Sequence, residues 1–164
     1  MSTGGVIRCF DYVNHPYQQV RDKLSVDALL VFQAATGAAV SRAQSVAAEL
    51  RVDIGGITVE AEIRIAVKNI EETIQSGAMT HPSTCIDLEW EAQRMPHLFP
   101  LMKAELSIYP LTATETQLDF SGVYEPPLGV LGRAVDGIAG HRIADASVHR
   151  FVSDVAAYLR QTLG

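Results

Sequence analysis

Polar and apolar residues alternate with a period of two through the middle of the chain, a pattern typical of strands with one buried face. The clearest case is a pair of runs, 46–54 and 57–67, joined by Gly55 and Gly56. Tight hairpin turns need positive φ angles, which glycine adopts at little cost. We therefore predict a β-hairpin. Its apolar positions are Val46, Ala48, Leu50, Val52, Ile54, Ile57, Val59, Ala61, Ile63, Ile65 and Val67.

A short run of apolar and aromatic residues predicts a first strand over 6–13, and alternation predicts three more over 86–93, 103–108 and 117–124, with 75–85 as a polar loop. In the last three strands charged or polar residues take the alternate positions, so the sheet is expected to be antiparallel with one apolar face. The residues assigned to that face are Ile86, Leu88, Trp90, Ala92, Ala104, Leu106, Ile108, Leu118, Phe120, Gly122 and Tyr124.

Helical patterns flank these strands. After the first strand, Asn14 is a suitable helix cap and Pro16 suits a first turn, which predicts two short helices over 16–24 and 27–39. Asp27 would cap the second helix, and Gly37 would lie near its end. An apolar stripe with helical period over 130–163 predicts one helix about 50 Å long that covers the sheet. Gly137 and Gly140 predict a bend in it.

The corner "YEPPLGVLG", 124–132, leads from the last strand into this helix. Pro126 and Pro127 remove backbone donors and so end the strand, and Gly129 allows the chain to reverse. A phosphate cradle at the helix N-terminus is the alternative. Against it, the corner has no adjacent Lys, Ser or Thr.

This order of elements resembles the START-like (SRPBCC) superfamily, which includes polyketide cyclase and dehydratase-like, lipid-transfer and Bet v 1-like proteins. The resemblance spans "CFDYVNHPYQQV", "ETQLDFSGVYEPPLGVLGRAVDGI" and the C-terminal helix. It implies an α+β helix-grip fold, in which a curved antiparallel sheet wraps around the long C-terminal helix. It also implies an apolar cavity between them and one domain over 1–164.

The composition of the chain limits the classes of partner that it is expected to bind. The net charge of −6 argues against a phosphate-neutralising surface, so we expect no nucleic-acid partner. We find no run that approaches the roughly 20 apolar residues needed to span a bilayer, and the N-terminus lacks a signal-peptide pattern. We expect a cytoplasmic protein without a membrane span, with a homodimer left open.

Conventional catalytic signatures are missing from the sequence. Cys9 and Cys85 form neither a disulfide framework nor a zinc spacing, and are expected to be reduced thiols. We find no nucleophile motif, no phosphate-binding loop and no Cys–His pairing with a third orienting residue. We therefore assign no catalytic residue, metal or cofactor.

The candidate ligand-binding residues are Trp90, Leu106, Phe120, Tyr124, His141 and Asp145. Trp90 packs in the core, contacts a ligand, or does both. Gly122 either leaves space on the concave face or permits a strand kink, and we favour the kink.

His141, Asp145 and His149 follow one another at four-residue intervals on the long helix. His141 projects near the middle of the apolar stripe and His149 at its edge. His141 and Asp145 either orient a polar group of a ligand or form a structural pair or a solvated stripe.

Three functions remain open. The first is a carrier that sequesters an apolar molecule, such as a lipid or an aromatic or polyketide-like compound, without catalysis. The second is a cyclase or dehydratase-type enzyme that positions its substrate, with His141, Asp145 or Tyr124 moving a proton. The third is an interaction module with a filled core. The internal volume separates the third from the other two.

Overall fold

The computed structural model describes residues 5–49, 63–75, 81–92, 102–124 and 137–164. Five strands and two helices make up these ranges, and the fold is α+β. In chain order they are β1 (Val6–Val13), α1 (Tyr17–Glu49), β2 (Ile63–Gln75), β3 (His81–Ala92), β4 (Met102–Thr112), β5 (Glu115–Tyr124) and α2 (Gly137–Leu163).

The strands form one curved antiparallel sheet in the order β1-β5-β4-β3-β2. The registers bring Phe120 opposite both Cys9 and Leu106. The predicted apolar face is confirmed, because its large side chains between Ile86 and Tyr124 are all buried. The ladder shifts between Val67 and Asn69 and between Pro110 and Thr112, as in β-bulges.

The two helices cover the apolar face. α2 buries a continuous stripe against the sheet, and α1 packs on α2. The buried residues of α2 include Ile143, Ala144, Val148, Phe151, Val152, Val155, Ala156 and Leu159. The long C-terminal helix is therefore confirmed. It is helical from Gly137 and continues through Gly140, where we predicted a bend. Residues 130–136 lie outside the described ranges.

The predicted hairpin is wrong at its start. Residues 46–49 belong to α1, whereas 50–62 lie outside the described residues. The second half is confirmed from Ile63, although β2 runs on to Gln75 and β3 begins at His81, inside the predicted loop. The error arose because "VAAE" has alanine at both an inward and an outward position of the predicted strand, so it does not truly alternate, and alanine favours a helix.

α1 replaces the two predicted short helices. It is one 33-residue element with a kink at Asp27, whose φ of −111° and ψ of 15° are not helical. Asp27 thus marks the predicted boundary, but Gly37 does not end the helix. Asp27 accepts a hydrogen bond from Tyr158 of α2 (3.2 Å) and pairs with Lys23 (3.1 Å). The hydrogen bond from Lys23 lowers the pKa of Asp27.

α1 is also more apolar than the sequence analysis allowed. By length and composition, Tyr17–Val46 could cross a membrane, because its most apolar window has a mean hydropathy of 1.5. A third of that window is buried inside the protein, and helices that cover a protein core meet the same criterion.

Side chains from the helices reach both outer strands. The Gln33 side chain of α1 donates to the carbonyl of Ile63 and accepts from the amide of Ile65 on β2. Arg160 of α2 donates to the Asp11 carboxylate and to the Tyr12 carbonyl on β1. These contacts give hydrogen-bond partners to backbone groups of the two outer strands. Without such partners, the groups could pair with a strand of another chain.

We expect Phe151→Ala to lower the free energy of unfolding by about 3–5 kcal/mol, since it leaves a cavity in a packed core. The Phe151 ring centroid lies 5.4–6.0 Å from those of Phe32, Trp90 and Phe120. The matched control is Phe10→Ala, because Phe10 is 73% exposed. Its cost should stay within about 0.5 kcal/mol. Chemical denaturation measures both, and equal costs would contradict this account of the core.

Candidate functional site

A tyrosine and a histidine meet where the sheet ends beside the first turns of α2. Tyr124 is the last residue of β5, and its side chain is buried on the inner face. A hydrogen bond of 3.1 Å joins Tyr124 Oη to Nδ1 of His141, which is exposed. The pair therefore links a buried hydroxyl to solvent.

Two glycines shape the wall around this pair. A Cβ added at Gly5 would lie 3.1 Å from the Tyr124 ring, which rests against the backbone there. A Cβ added at Gly122 would lie 2.5 Å from Met102 Sδ, so the Met102 side chain occupies the space above Gly122. Gly122 pairs in register with Ile7 and Ala104. Of our two interpretations, space on the inner face describes Gly122 better than a kink, and Met102 fills that space.

Below this wall the interior is packed with aromatic rings. Trp90 and Phe120 of the sheet meet Phe151 of α2, with ring centroids 5.4–6.2 Å apart. The Trp90 indole N–H donates to Thr36 Oγ1 (3.0 Å), which donates to the carbonyl of Phe32 (2.7 Å). The buried polar groups of this contact are thus paired, and Phe120 joins the cluster to the strand that carries Tyr124.

The structure brings four of the six predicted site residues to the inner face. Trp90, Leu106, Phe120 and Tyr124 are all buried there. Leu106 lies beside Phe120 in the ladder. Contact between these side chains and a ligand remains a prediction.

Of the alternatives left open for His141 and Asp145, a structural pair between the two is not formed, because each contacts a different residue. His141 contacts Tyr124, whereas the half-exposed Asp145 carboxylate faces His149, with 3.5 Å between Asp145 Oδ1 and His149 Nε2. The projection placed His141 near the middle of the apolar stripe, but its side chain is exposed. A helical wheel shows direction around an axis and not position along it, and His141 lies in the first turns, near the end of the sheet.

A cysteine, a histidine and an aspartate form a second constellation, which the sequence analysis missed. Cys9 Sγ of β1 lies 3.5 Å from His149 Nδ1, and His149 Nε2 faces Asp145. Our expectation of no Cys–His pairing with a third orienting residue is therefore wrong. The inward parity of Cys9 and the spacing of Asp145 and His149 were visible in the sequence. Their proximity was not, because it depends on α2 packing beside β1.

The surroundings of Cys9 do not favour a nucleophile. Burial, together with the carboxylates of Asp11, Asp145 and Asp119, raises the pKa of the Cys9 thiol to about 11. Reactive cysteines lie in electropositive and partly exposed surroundings. Cys9 is buried near three acids, so at neutral pH it is a thiol that shares a hydrogen bond with His149.

Charged groups are concentrated on the opposite face of the sheet. An open concavity of about 380 Å³ lies there, lined by residues of both signs that include Lys68, Asp87, Glu89, Lys103 and Glu105. In the ranges that the structure describes, no group of three or more His, Cys, Asp or Glu residues could hold a metal ion. The corner after Tyr124, including Gly129 and Gly132, lies outside those ranges.

Comparison with protein-family models and with curated proteins found no match. Among solved structures, the Zhui aromatase/cyclase from Streptomyces sp. R1128 is similar, with a TM-score of 0.51 and 12% identity. The alignment covers 98% of this chain and 96% of that one. At this identity the similarity shows the fold alone, and it agrees with a helix-grip arrangement.

Two other solved structures align over nearly their whole length. TTHA0849 from Thermus thermophilus has a TM-score of 0.44 and 8% identity, with coverage of 98% of this chain and 100% of that one. A point mutant of Thalictrum flavum norcoclaurine synthase, in complex with a transition state analogue, has a TM-score of 0.42 and 10% identity. That alignment covers 100% of this chain and 99% of the other. TM-scores this low carry no argument here.

The raised pKa of Cys9 predicts a loss of stability in alkali. The folded state keeps the thiol proton more tightly than the unfolded state, so this stabilisation is present below pH 9 and lost as the pH rises towards 11. The rise from 9.0 to about 11 corresponds to at most about 3 kcal/mol, since one pKa unit is about 1.4 kcal/mol.

Chemical denaturation of wild type and Cys9→Ser between pH 7 and 11 measures this effect. The difference in free energy of unfolding between the two should shrink across that interval, because other alkaline groups cancel in the comparison. Parallel profiles would show that Cys9 does not have the raised pKa.

Gly122→Ala should lower the free energy of unfolding by about 1–3 kcal/mol, because the new methyl group collides with Met102. In a Met102→Ala background the cost should be smaller. A double-mutant cycle measures this coupling. Equal costs in both backgrounds would mean that Met102 does not fill the space above Gly122.

Proposed function

We propose that this chain is a START-like protein that binds an apolar small molecule carrying one hydrogen-bonding group, as a carrier or sequestering protein without catalysis. The ligand enters between the sheet and α2 at the end occupied by Tyr124 and His141. The observation that supports this most directly is the buried Tyr124 hydroxyl, which an exposed histidine holds at one end of a largely apolar inner face. Ligand sites commonly combine apolar walls with a few placed polar groups.

Met102 provides the room for a ligand. Its side chain lies above Gly122, between Phe120 and Tyr124 on the inner face. Methionine is flexible and polarisable, so its side chain can adopt another rotamer when a ligand occupies this space. Displacement of Met102 would open a site with Phe120 as its floor and Tyr124 as its polar contact.

The packed interior limits where the ligand can lie. Phe32, Trp90, Phe120 and Phe151 occupy the centre of the contact between the sheet and the helices. The proposed site is therefore above this cluster, with Trp90 and Leu106 supporting Phe120 from behind. Because the similar solved structure is named an aromatase/cyclase, aromatic and polyketide-like compounds are the first class to test.

An interaction module is the second candidate, and the same aromatic cluster favours it. Among the residues that the structure describes, bulky side chains fill the contact between sheet and helices, as expected of a protein without a ligand cavity. In that case Tyr124 and His141 are a structural pair at the end of the sheet. The cyclase alternative remains a prediction.

The test uses two matched probes, 2-naphthol and naphthalene, which differ by one hydroxyl group. Trp90 is the only tryptophan and is buried near the site, so its fluorescence detects binding, and calorimetry measures the affinity. We expect wild type to bind both probes. Tyr124→Phe should weaken 2-naphthol about 2- to 12-fold and leave naphthalene unchanged, because a hydrogen bond contributes about 0.5–1.5 kcal/mol.

Tyr12→Phe is the control variant, since Tyr12 lies exposed on the outer face. It should bind both probes as wild type does. If wild type binds neither probe while its thermal unfolding is cooperative, the interaction module is favoured. If Tyr124→Phe binds 2-naphthol as tightly as wild type, the proposed role of the hydroxyl is wrong.

A further inference from the structure

The direction of one hydrogen bond decides which polar group a ligand needs beside Tyr124. Either side of the contact between Tyr124 Oη and His141 Nδ1 can be the donor, because the proton of a neutral histidine ring lies on one nitrogen or the other. If Tyr124 donates, its oxygen keeps lone pairs that accept a hydrogen bond from a ligand. If His141 donates, the Tyr124 hydroxyl offers its proton to an acceptor on the ligand.

Burial decides the direction while His141 is neutral. Tyr124 is 6% exposed, and among the residues that the structure describes its hydroxyl has His141 as its one hydrogen-bond partner. Were Nδ1 the donor, the hydroxyl proton would be buried without an acceptor, which is rare in native proteins. His141 itself is exposed, so water can accept from an N–H at Nε2. The neutral ring therefore carries its proton on Nε2, and Tyr124 donates to Nδ1.

Protonation of His141 reverses this direction. Histidine changes its charge between about pH 8 and pH 5, and the charged ring has donors at both nitrogens. Nδ1 then donates to Tyr124 Oη, and the Tyr124 proton needs a new acceptor. Met102, which lies opposite Tyr124 in the ladder, has only a weak acceptor in its sulfur. A carbonyl group on a ligand meets this need, whereas a hydroxyl or N–H donor does not.

We propose that His141 makes this site select ligands with a hydrogen-bond donor while its ring is neutral, and ligands with a hydrogen-bond acceptor once its ring is protonated. The inference rests on the proposed function, because it concerns a ligand beside Tyr124. At pH 8 the preferred ligand is an apolar compound with a hydroxyl or N–H group. Selectivity arises because the wrong polar group loses water on binding and finds no partner.

Charged groups near His141 do not compete with Tyr124 for its ring in the described ranges. On α2, the Asp145 carboxylate one turn further on faces His149, and the neighbouring Arg142 is exposed. The charged and titratable groups of the elements beside α2 have other partners or lie on the outer face of the sheet. On α1, Arg42 pairs with Glu49; on β1, Cys9 contacts His149 and Asp11 pairs with Arg160; Arg8 of β1 and Asp119 of β5 lie on the outer face.

Three matched probes test the selectivity: indole, 1-indanone and indene. All three are bicyclic and of nearly the same size, but indole has an N–H donor, 1-indanone has a carbonyl acceptor and indene has neither. Calorimetry at pH 8 and pH 5 measures their dissociation constants. Towards pH 5 we expect indole to bind about 2- to 12-fold more weakly and 1-indanone more tightly by a similar factor, since one hydrogen bond is exchanged. Indene should not change.

His141→Asn is the test variant, because its amide lies near the position of Nδ1, can turn to donate or accept, and does not titrate. It should bind indole and 1-indanone with affinities that do not depend on pH. His149→Asn is the matched control, since His149 lies on the same helix and contacts Cys9 and Asp145 instead of Tyr124. It should keep the wild-type response to pH.

The outcomes separate this inference from the proposed function. Wild type that binds none of the three probes contradicts the proposed function. Wild type that binds indene but shows no exchange of preference between indole and 1-indanone overturns the inference alone, as does a pH response that persists in His141→Asn. Nitrogen NMR of the ligand-free protein at pH 8 checks the direction of the hydrogen bond without any probe. We expect the His141 proton on Nε2, and a proton on Nδ1 would overturn the proposal.

Discussion

The contact among Phe151, Trp90 and Phe120 holds the two layers of this protein together. Phe151 comes from α2, and the other two rings come from strands β3 and β5. Phe32 joins the cluster from α1, so a single cluster contains side chains from both helices and from the sheet. Aromatic residues suit this role because each buries a large apolar area, and edge-to-face contacts add to that burial. The hydrogen bond from Trp90 to Thr36 lets the indole stay buried without an unpaired donor.

This packing also decides where a ligand site can lie. The cluster fills the middle of the interior, and towards one end of the sheet the inner face continues from it to Gly122 and Tyr124. There the wall changes from rigid rings to a glycine covered by a flexible methionine, and a buried hydroxyl meets an exposed histidine. A tightly packed core and an adaptable end can coexist in one small domain because core packing is local, while a ligand needs only a limited number of contacts.

α1 has two faces with different physical roles. Its inner face contributes Phe32 and Thr36 to the core, and its Gln33 side chain bonds to the backbone of β2. Its outer face includes two exposed leucines, Leu29 and Leu30, which the core does not require. Arg160 of α2 plays a part at β1 that corresponds to Gln33 at β2, since it donates to the Tyr12 carbonyl.

Period-two alternation correctly predicted the strands from Ile86 to Tyr124, because successive side chains on a strand must point to opposite faces. The same rule failed over residues 46–49, where small residues fit a helix as well as a strand. Likewise, Asp27 marked a helix boundary but not the end of an element, since α1 continues past the kink and past Gly37.

The sequence by itself determined which side chains face inward, including Trp90, Leu106, Phe120 and Tyr124, and that a long amphipathic helix covers them. Only the tertiary structure decided which groups meet. Tyr124 pairs with His141, and Cys9 pairs with His149, across 17 and 140 positions of the chain. The physical reason is that a sequence period gives the direction in which a side chain leaves its own element. What lies opposite depends on how far along each element the packing partner is placed.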